Sequence, residues 1–414
     1  MTAAGTSVEP LTLDEAAQHI HDAAFAASEI GTVGLEVETH LVDLRAPAGQ
    51  VPWTRLLPAL DAGRRQLRRS SITIEPGGQV ELSGAPEPNV RAAISAMRHD
   101  EQRLRLVLAE HGLGLAHLGA DPARKPHRVN PRPRYRAMER HFITTGSAAA
   151  GQAMMCATAA LQVNLQAGPR AGWAERFALA HQLGPTLISL SACSRWLAGK
   201  DTGWVSARQR AWNGLDPRTS GPLTLSGDPA AEWARYALAA PVLFVSTGGE
   251  DVVAVARAVP FSAWASGRAR LADRLPTQAD LTTHLTTLFP PVRPRGYLEL
   301  RYLDVSAPRW WPAIAAVTAT LLDDPVAADA AAEATEETAG RWHDAARLGL
   351  RDPALAASAR RCLAIALERA APELGLAVAD LAELVATGRS PGDLAAERIA
   401  DVGAVAYLEE VAHA

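Results

Sequence analysis

The chain has 414 residues, 48% hydrophobic and 21% charged, a balance that can build a sizeable core and excludes disorder as the main state. Its 41 basic and 45 acidic residues leave a net charge of −4, so no global basic field exists to recruit nucleic acid. Three scattered cysteines (Cys156, Cys193 and Cys362) suit neither a disulfide framework nor a zinc site and read as small buried side chains. The N-terminal stretch lacks the basic and apolar parts of a signal peptide. The most apolar run, 310–322, falls short of the ~20 residues that cross a bilayer. A cytoplasmic, reducing setting is therefore expected.

Thr12 and Glu15 have capping-box spacing and predict a first helix to about Ala27. Residues 34–41 (GLEVETHL) alternate apolar and polar and read as a strand. Residues 72–74 and 80–82 alternate on either side of Pro76-Gly77-Gly78, the pattern of a hairpin. Asn89 is placed to cap a long helix that stops at Gly112, with a strand over 113–118 behind it. Residues 124–140 form a Pro- and Arg-rich loop running into a short helix, and 154–166 end in alternation. A helical stretch over 175–197 is interrupted at Gly184-Pro185, and a polar Gly/Pro-rich segment runs on to about Asp228. Strands are expected at 242–245 and 297–303, and from Trp310 onward nearly everything is Ala-rich and helix-prone. Strands spread through the first 305 residues between long helices argue for an α+β fold with a mostly antiparallel sheet.

Side chains two apart on a strand share a face. That rule groups Glu36, Glu38 and His40; Gln162, Asn164 and Gln166; and Glu299 with Arg301, while the hairpin brings Glu75 near Glu81. One polar strand face is ordinarily just wet. Four of similar type argue for a shared cavity. Two carboxylates ~5 Å apart at an effective dielectric of ~20 repel by ~3 kcal/mol, so five in one cavity need raised pKa values or cations. All-oxygen ligands select hard ions, Mg²⁺ or Mn²⁺, and several such ions on carboxylates point to a polyphosphate and phosphoryl transfer. Arginines at 128, 132, 134 and 136, and at 208, 210 and 218, are available to counter phosphate charge. P-loop, protein-kinase, HExxH and GxSxG signatures are absent.

The segments GLEVETH, SITIEPGGQVELSGAP, PRYRAM, MMCATAALQVNL, RYALAAP, HLTTLFP and YLELRYLD, in this order over about 31–311, resemble the plant-type glutamate–cysteine ligase family. Within it the actinobacterial branch, which serves ergothioneine biosynthesis, is the nearest likeness. The resemblance implies a glutamine-synthetase-like carboxylate–amine ligase fold, a curved antiparallel sheet flanked by helices. It implies a catalytic region over 1–312 and a helical C-terminal region over 313–414 packed on it. It also implies ATP as co-substrate and two or three Mg²⁺ ions, with Mn²⁺ an alternative. The reaction it implies phosphorylates the γ-carboxylate of L-glutamate, and the amine of L-cysteine then displaces phosphate. By the same likeness, Glu36, Glu38, Glu75, Glu81 and Glu299 are metal ligands, and Gln162 and Asn164 line the nucleotide site. Arg208 takes the glutamate α-carboxylate, Arg301, Arg134 and Arg218 face phosphates, and Tyr236 and Trp310 line the amino-acid pocket.

Two departures from the family pattern stand out: Arg134-Tyr135-Arg136 replaces the usual RYK, and Tyr302-Leu303-Asp304 follows YLELR. The partners expected are small molecules alone, with no nucleic acid, membrane or obligate protein partner. A ligase joining glutamate to a different amine is the alternative, and a non-catalytic nucleotide sensor is a third reading.

Overall fold

The computed structural model describes residues 9–249 and 251–413; residues 1–8 of the stretch read for a targeting signal lie outside it. Among the described residues eleven strands occur in chain order: β1 (Val33–Asp43), β2 (Ser70–Ile74), β3 (Val80–Gly84), β4 (Leu113–Ala116), β5 (Ala160–Gln166), β6 (Trp196–Leu197), β7 (Lys200–Asp201), β8 (Phe244–Gly248), β9 (Asp251–Ala254), β10 (Val292–Pro294) and β11 (Tyr297–Asp304). Seven of them make one sheet in the order β10-β11-β5-β1-β3-β2, with β4 also pairing β1. Every pairing in that sheet is antiparallel. The fold is thus α+β, as the spread of strands implied.

Local signals act where they were read. Thr12 and Glu15 close a reciprocal capping box on the helix Leu13–Ala24, and Asn89 caps Val90–Glu110 by accepting from the Ala92 N–H. That long helix turns Ala93, Ile94, Met97, Leu104 and Leu108 inward at helical spacing. The helix Trp311–Asp323 is apolar on nearly every side and runs through the core against β5. Other expectations shift. Helical structure expected to Leu197 ends at Ser191, because β6 begins five residues on. The polar stretch before Asp228 contains the helix Ala207–Asn213, and an unforeseen helix spans Trp53–Arg64 around Pro58. Among the described residues no helix is long and apolar enough to cross a membrane.

The β2–β3 turn is held by contact as well as by its own chemistry. Gly78 sits at φ +87°, a conformation that favours glycine, and the Glu75 N–H donates to the Gln79 carbonyl at 2.9 Å. A Cβ at Gly77 would stand 2.3 Å from the Cys156 carbonyl oxygen, so only glycine lets this turn reach the helix Ala148–Ala157. The Gln79 amide then donates to the Thr158 carbonyl at 2.8 Å, tying the Glu75 turn to the entry of β5.

The C-terminal helices pack directly on this framework. The Trp342 ring lies over Gly184, and the helix Ala404–His413 presses on β4 so closely that a Cβ at Gly114 would lie 2.3 Å from the Ala412 carbonyl. Gly114→Ala is therefore expected to lower stability by about 1–3 kcal/mol, the scale of overpacking, read as a shift in the urea midpoint. A wild-type midpoint would mean that the helix does not bear on β4.

Candidate active site

One side of a cavity of about 470 Å³ is built from β1, β3, β5 and β11. Glu36 pairs directly across from Gln162 on β5, and Glu38 across from Glu81 on β3. Glu75, at the end of β2, and Glu299, on β11, complete the acidic wall. Like charges directly opposite on paired strands repel, so this arrangement costs stability unless something neutralises it.

Hydrogen bonds hold the carboxylates in place without neutralising them. Glu38 accepts from the Ala160 N–H at 2.7 Å and the Gln162 amide at 3.2 Å; Glu36 accepts from Asn164 at 2.9 Å. Glu81 accepts from Thr73 and Ser83, both at 2.8 Å. Burial, reinforced by Glu81, pushes Glu36 and Glu38 each up to about 7, and burial with Glu81 and Glu38 raises Glu75 well above the carboxylate range.

Glu299 differs. Arg293 binds it through Nε and, at 2.9 Å, through Nη2; Arg295 and Arg301 stand 3.4 and 3.3 Å from its oxygens. Burial works against its charge, but Arg301 and Arg293 outweigh that and hold it at about 2. Glu299, expected as a metal ligand, is ion-paired with these three guanidinium groups in this structure.

Among the described residues, no three His, Cys, Asp or Glu side chains gather tightly enough to hold a metal by themselves. Mg²⁺ commonly takes one or two carboxylates and completes its shell with water and substrate phosphates. A wall of spaced carboxylates suits that shared coordination. Among the arginines lining the cavity, Arg134 Nε, Arg208 Nη1 and Arg301 Nε are buried without a hydrogen-bond partner, and Asp304 lies 3.9 Å from Arg208 Nη1. Arg208 Nη2 donates to the Arg301 carbonyl at 2.6 Å, and Arg301 Nη1 to Gln162 Oε1 at 2.6 Å. Arg208 and Arg301 are thus each anchored by one nitrogen, while another has no hydrogen-bond partner. Trp53, Leu57, Ile72, Ile74 and Met154 give the cavity an apolar margin able to take a flat ring.

Several residues expected in the site lie elsewhere. His40 is buried beyond the point where β1 leaves β3 for β4, its Nε2 3.0 Å from the Leu118 carbonyl, and burial lowers it to about 4. Asn164 stands behind Glu36 and does not line the cavity. Arg218 is half exposed and paired with Asp216 at 2.6 Å. Tyr236 stacks on Trp233 at 5.7 Å, and Trp310 is buried under the Arg309 guanidinium at 4.6 Å; neither lines the cavity. Arg293, Arg295 and Gln79 were not foreseen. The first had a signal: a tight Pro294-Arg295-Gly296 turn puts Arg293 directly across from Glu299.

The family model for glutamate–cysteine ligase family 2 matches residues 32–410. The glutamate–cysteine ligase EgtA of Mycolicibacterium smegmatis is 49% identical over 413 residues, covering 98% of this chain and 96% of that protein. A chloroplastic glutamate–cysteine ligase of Brassica juncea is 32% identical over 242 residues, 57% of this chain and 46% of its own length. The crystal structure of a Francisella tularensis glutamate–cysteine ligase in complex with AMP superposes with a TM-score of 0.56 at 14% identity, covering 94% of this chain and 89% of that one.

The raised carboxyls predict a pH effect with a definite sign. Between the ordinary value of 4.5 and about 7, the folded state binds more protons at Glu36 and Glu38 than the unfolded chain does, so stability falls as pH rises through this window. The melting temperature of metal-free protein should drop from pH 5 to pH 8 (conditions about this window), and the double variant Glu36→Gln/Glu38→Gln should flatten the slope. A melting temperature that rises across the window in the wild type would contradict the crowding.

Proposed function

The chain belongs to glutamate–cysteine ligase family 2, and from that premise we propose that it joins the γ-carboxyl of L-glutamate to the amine of L-cysteine. ATP is consumed, and γ-glutamylcysteine, ADP and phosphate are the products. The observation that carries this reading is the presence, in one cavity, of four carboxylates without salt bridges among the described residues and of buried guanidinium nitrogens without hydrogen-bond partners. Such a site is complementary to a ligand that brings its own cations and its own anions, which describes a metal-bound nucleotide beside an amino acid.

Glu36, Glu38, Glu75 and Glu81 would hold Mg²⁺, or Mn²⁺ in its place, with two or three ions the number we favour. Bound there, the metal would supply charge neutralisation for in-line phosphoryl transfer. Glu299 would share in coordination only by giving up an ion pair; its work in this reading is to array Arg293, Arg295 and Arg301. Arg301 and Arg134 face the phosphates. Arg208 takes the glutamate α-carboxylate, and its bond to the Arg301 carbonyl sets the two anion sites side by side. That adjacency orients the γ-carboxylate toward the phosphate it must attack. Gln162 steadies both Glu38 and Arg301. Arg218, Tyr236 and Trp310 drop out of this assignment because none reaches the cavity.

On this reading residues 1–312 carry the catalysis and 313–414 brace it. The product would serve ergothioneine assembly. Three buried free thiols and a need for ATP suit the cytoplasm.

Glu36→Gln and Glu81→Gln should each lower turnover at least ~100-fold, the usual scale for lost electrostatic stabilisation, with circular dichroism unchanged. Wild-type rates in both would remove them from the site. Glutamate-dependent ADP release should be faster with cysteine than with alanine or glycine as acceptor. Equal rates would leave a ligase of another acceptor class.

A further inference from the structure

Beyond the cavity wall, the last residue of β11 is a fully enclosed carboxylate. Asp304 is 1% exposed, and a Cβ at Gly119 would lie 2.7 Å from its own Cβ, so backbone seals it from above. Asp304 Oδ2 accepts from the Cys193 N–H at 3.0 Å and from the Ser194 hydroxyl at 2.6 Å, and Oδ1 accepts from the Ser206 hydroxyl at 3.0 Å. Each serine oxygen accepts in turn from the first turn of the helix Ala207–Asn213. The Arg208 N–H donates to Ser194 Oγ and the Gln209 N–H to Ser206 Oγ, both at 3.1 Å.

The helix that carries Arg208 is therefore tied, through two hydroxyls, to one buried carboxyl group on the strand that carries Arg301. The nearest charge to Asp304 is Arg208 itself, whose Nη1 lies 3.9 Å away without a hydrogen bond. That separation matters. At 3.9 Å Asp304 stands beside the buried guanidinium without a hydrogen bond of its own to Nη1, so its hold on the arginine runs through the two serines and the helix.

We propose that Asp304 is a positioning residue: acting through Ser194 and Ser206, it fixes the Arg208 guanidinium at the cavity wall and thereby sets the affinity for the amino-acid carboxylate. Asp304 touches no substrate. This rests on the assignment of Arg208 made above, and the experiment separates the two.

Michaelis constants for glutamate and for ATP are measured in the full-length protein for Asp304→Asn, Ser206→Ala, Ser194→Ala and Arg208→Lys. A KM does not depend on how much enzyme is folded, whereas a purely structural defect lowers only the apparent kcat. Asp304→Asn keeps the shape and removes the carboxyl group. It should raise the glutamate KM about tenfold, the scale of one misplaced charge-assisted hydrogen bond, with the ATP KM within about twofold of wild type. Ser206→Ala and Ser194→Ala should move the same constant in the same direction by less, and they carry the test if Asp304→Asn does not fold. Unchanged glutamate KM in the folded Asp304 and serine variants, with Arg208→Lys raising it, overturns the positioning role alone. Glutamate and ATP constants rising together in those variants also overturns it. An unchanged glutamate KM in Arg208→Lys overturns the assignment of Arg208 and the positioning role with it.

Discussion

Mutual repulsion among carboxylates in one partly desolvated cavity is the constraint around which this protein is arranged. Glu38 and Glu81 face each other across adjacent strands, Glu36 lies two residues away on the same face, and Glu75 closes the group from the hairpin turn. Strand pairing alone would not keep them together, since like charges opposite one another weaken a sheet. Seven strands, a buried central helix and the contact of the turn at Gly77 with the end of a neighbouring helix enforce the arrangement. The apolar core supplies the free energy that holds the acidic wall in an unfavourable state, a common feature of sites whose ligand completes them.

Salt bridges in the cavity are unevenly distributed. The arginines could have quenched the carboxylates, yet three of them converge on Glu299 at one end and leave the other four acids without salt bridges among the described residues. Arg208 and Arg301 are each fixed at one nitrogen by a neutral acceptor, a carbonyl or an amide oxygen, and each keeps one buried nitrogen without a hydrogen-bond partner. A guanidinium is suited to this division, because its planar fork presents several donors in fixed directions. Gln162 stands between the two charge types, bonded to Glu38 and to Arg301.

Support for these residues comes from distant parts of the chain. Ser206, through its N–H, and Val205 bond to carbonyls of Ala346 and Arg347 in the C-terminal region, and the Gly392 N–H donates to the Ala192 carbonyl just before Cys193. The Ala-rich helices therefore stand directly behind the segment that aims Arg208. Small side chains let them approach; alanine at Ala345, Ala346 and Ala359 is fully buried. Their bias toward alanine is accounted for by close packing, with no direct part in the chemistry.

What the sequence alone determined was local. Strand alternation repeats every two residues, so Glu36 and Glu38, or Glu299 and Arg301, are assigned to a common face without knowing what lies beside them. Caps at Thr12 and Asn89 and the Pro-Gly-Gly turn are likewise settled by neighbours in the chain. Tertiary structure decided which partner each group meets. His40 obeys the same alternation as Glu38, yet β1 changes partner from β3 to β4 at that residue and carries it out of the cavity. Glu299 reads as one more acid until β10 pairs with β11 and surrounds it with arginines. Arg208 and Asp304 stand 96 residues apart, a difference of their numbers, and meet only when the helix docks on the strand. Periodicity is a property of one segment; neutralisation, burial and aim belong to pairs of segments, and the chain must close on itself before they exist.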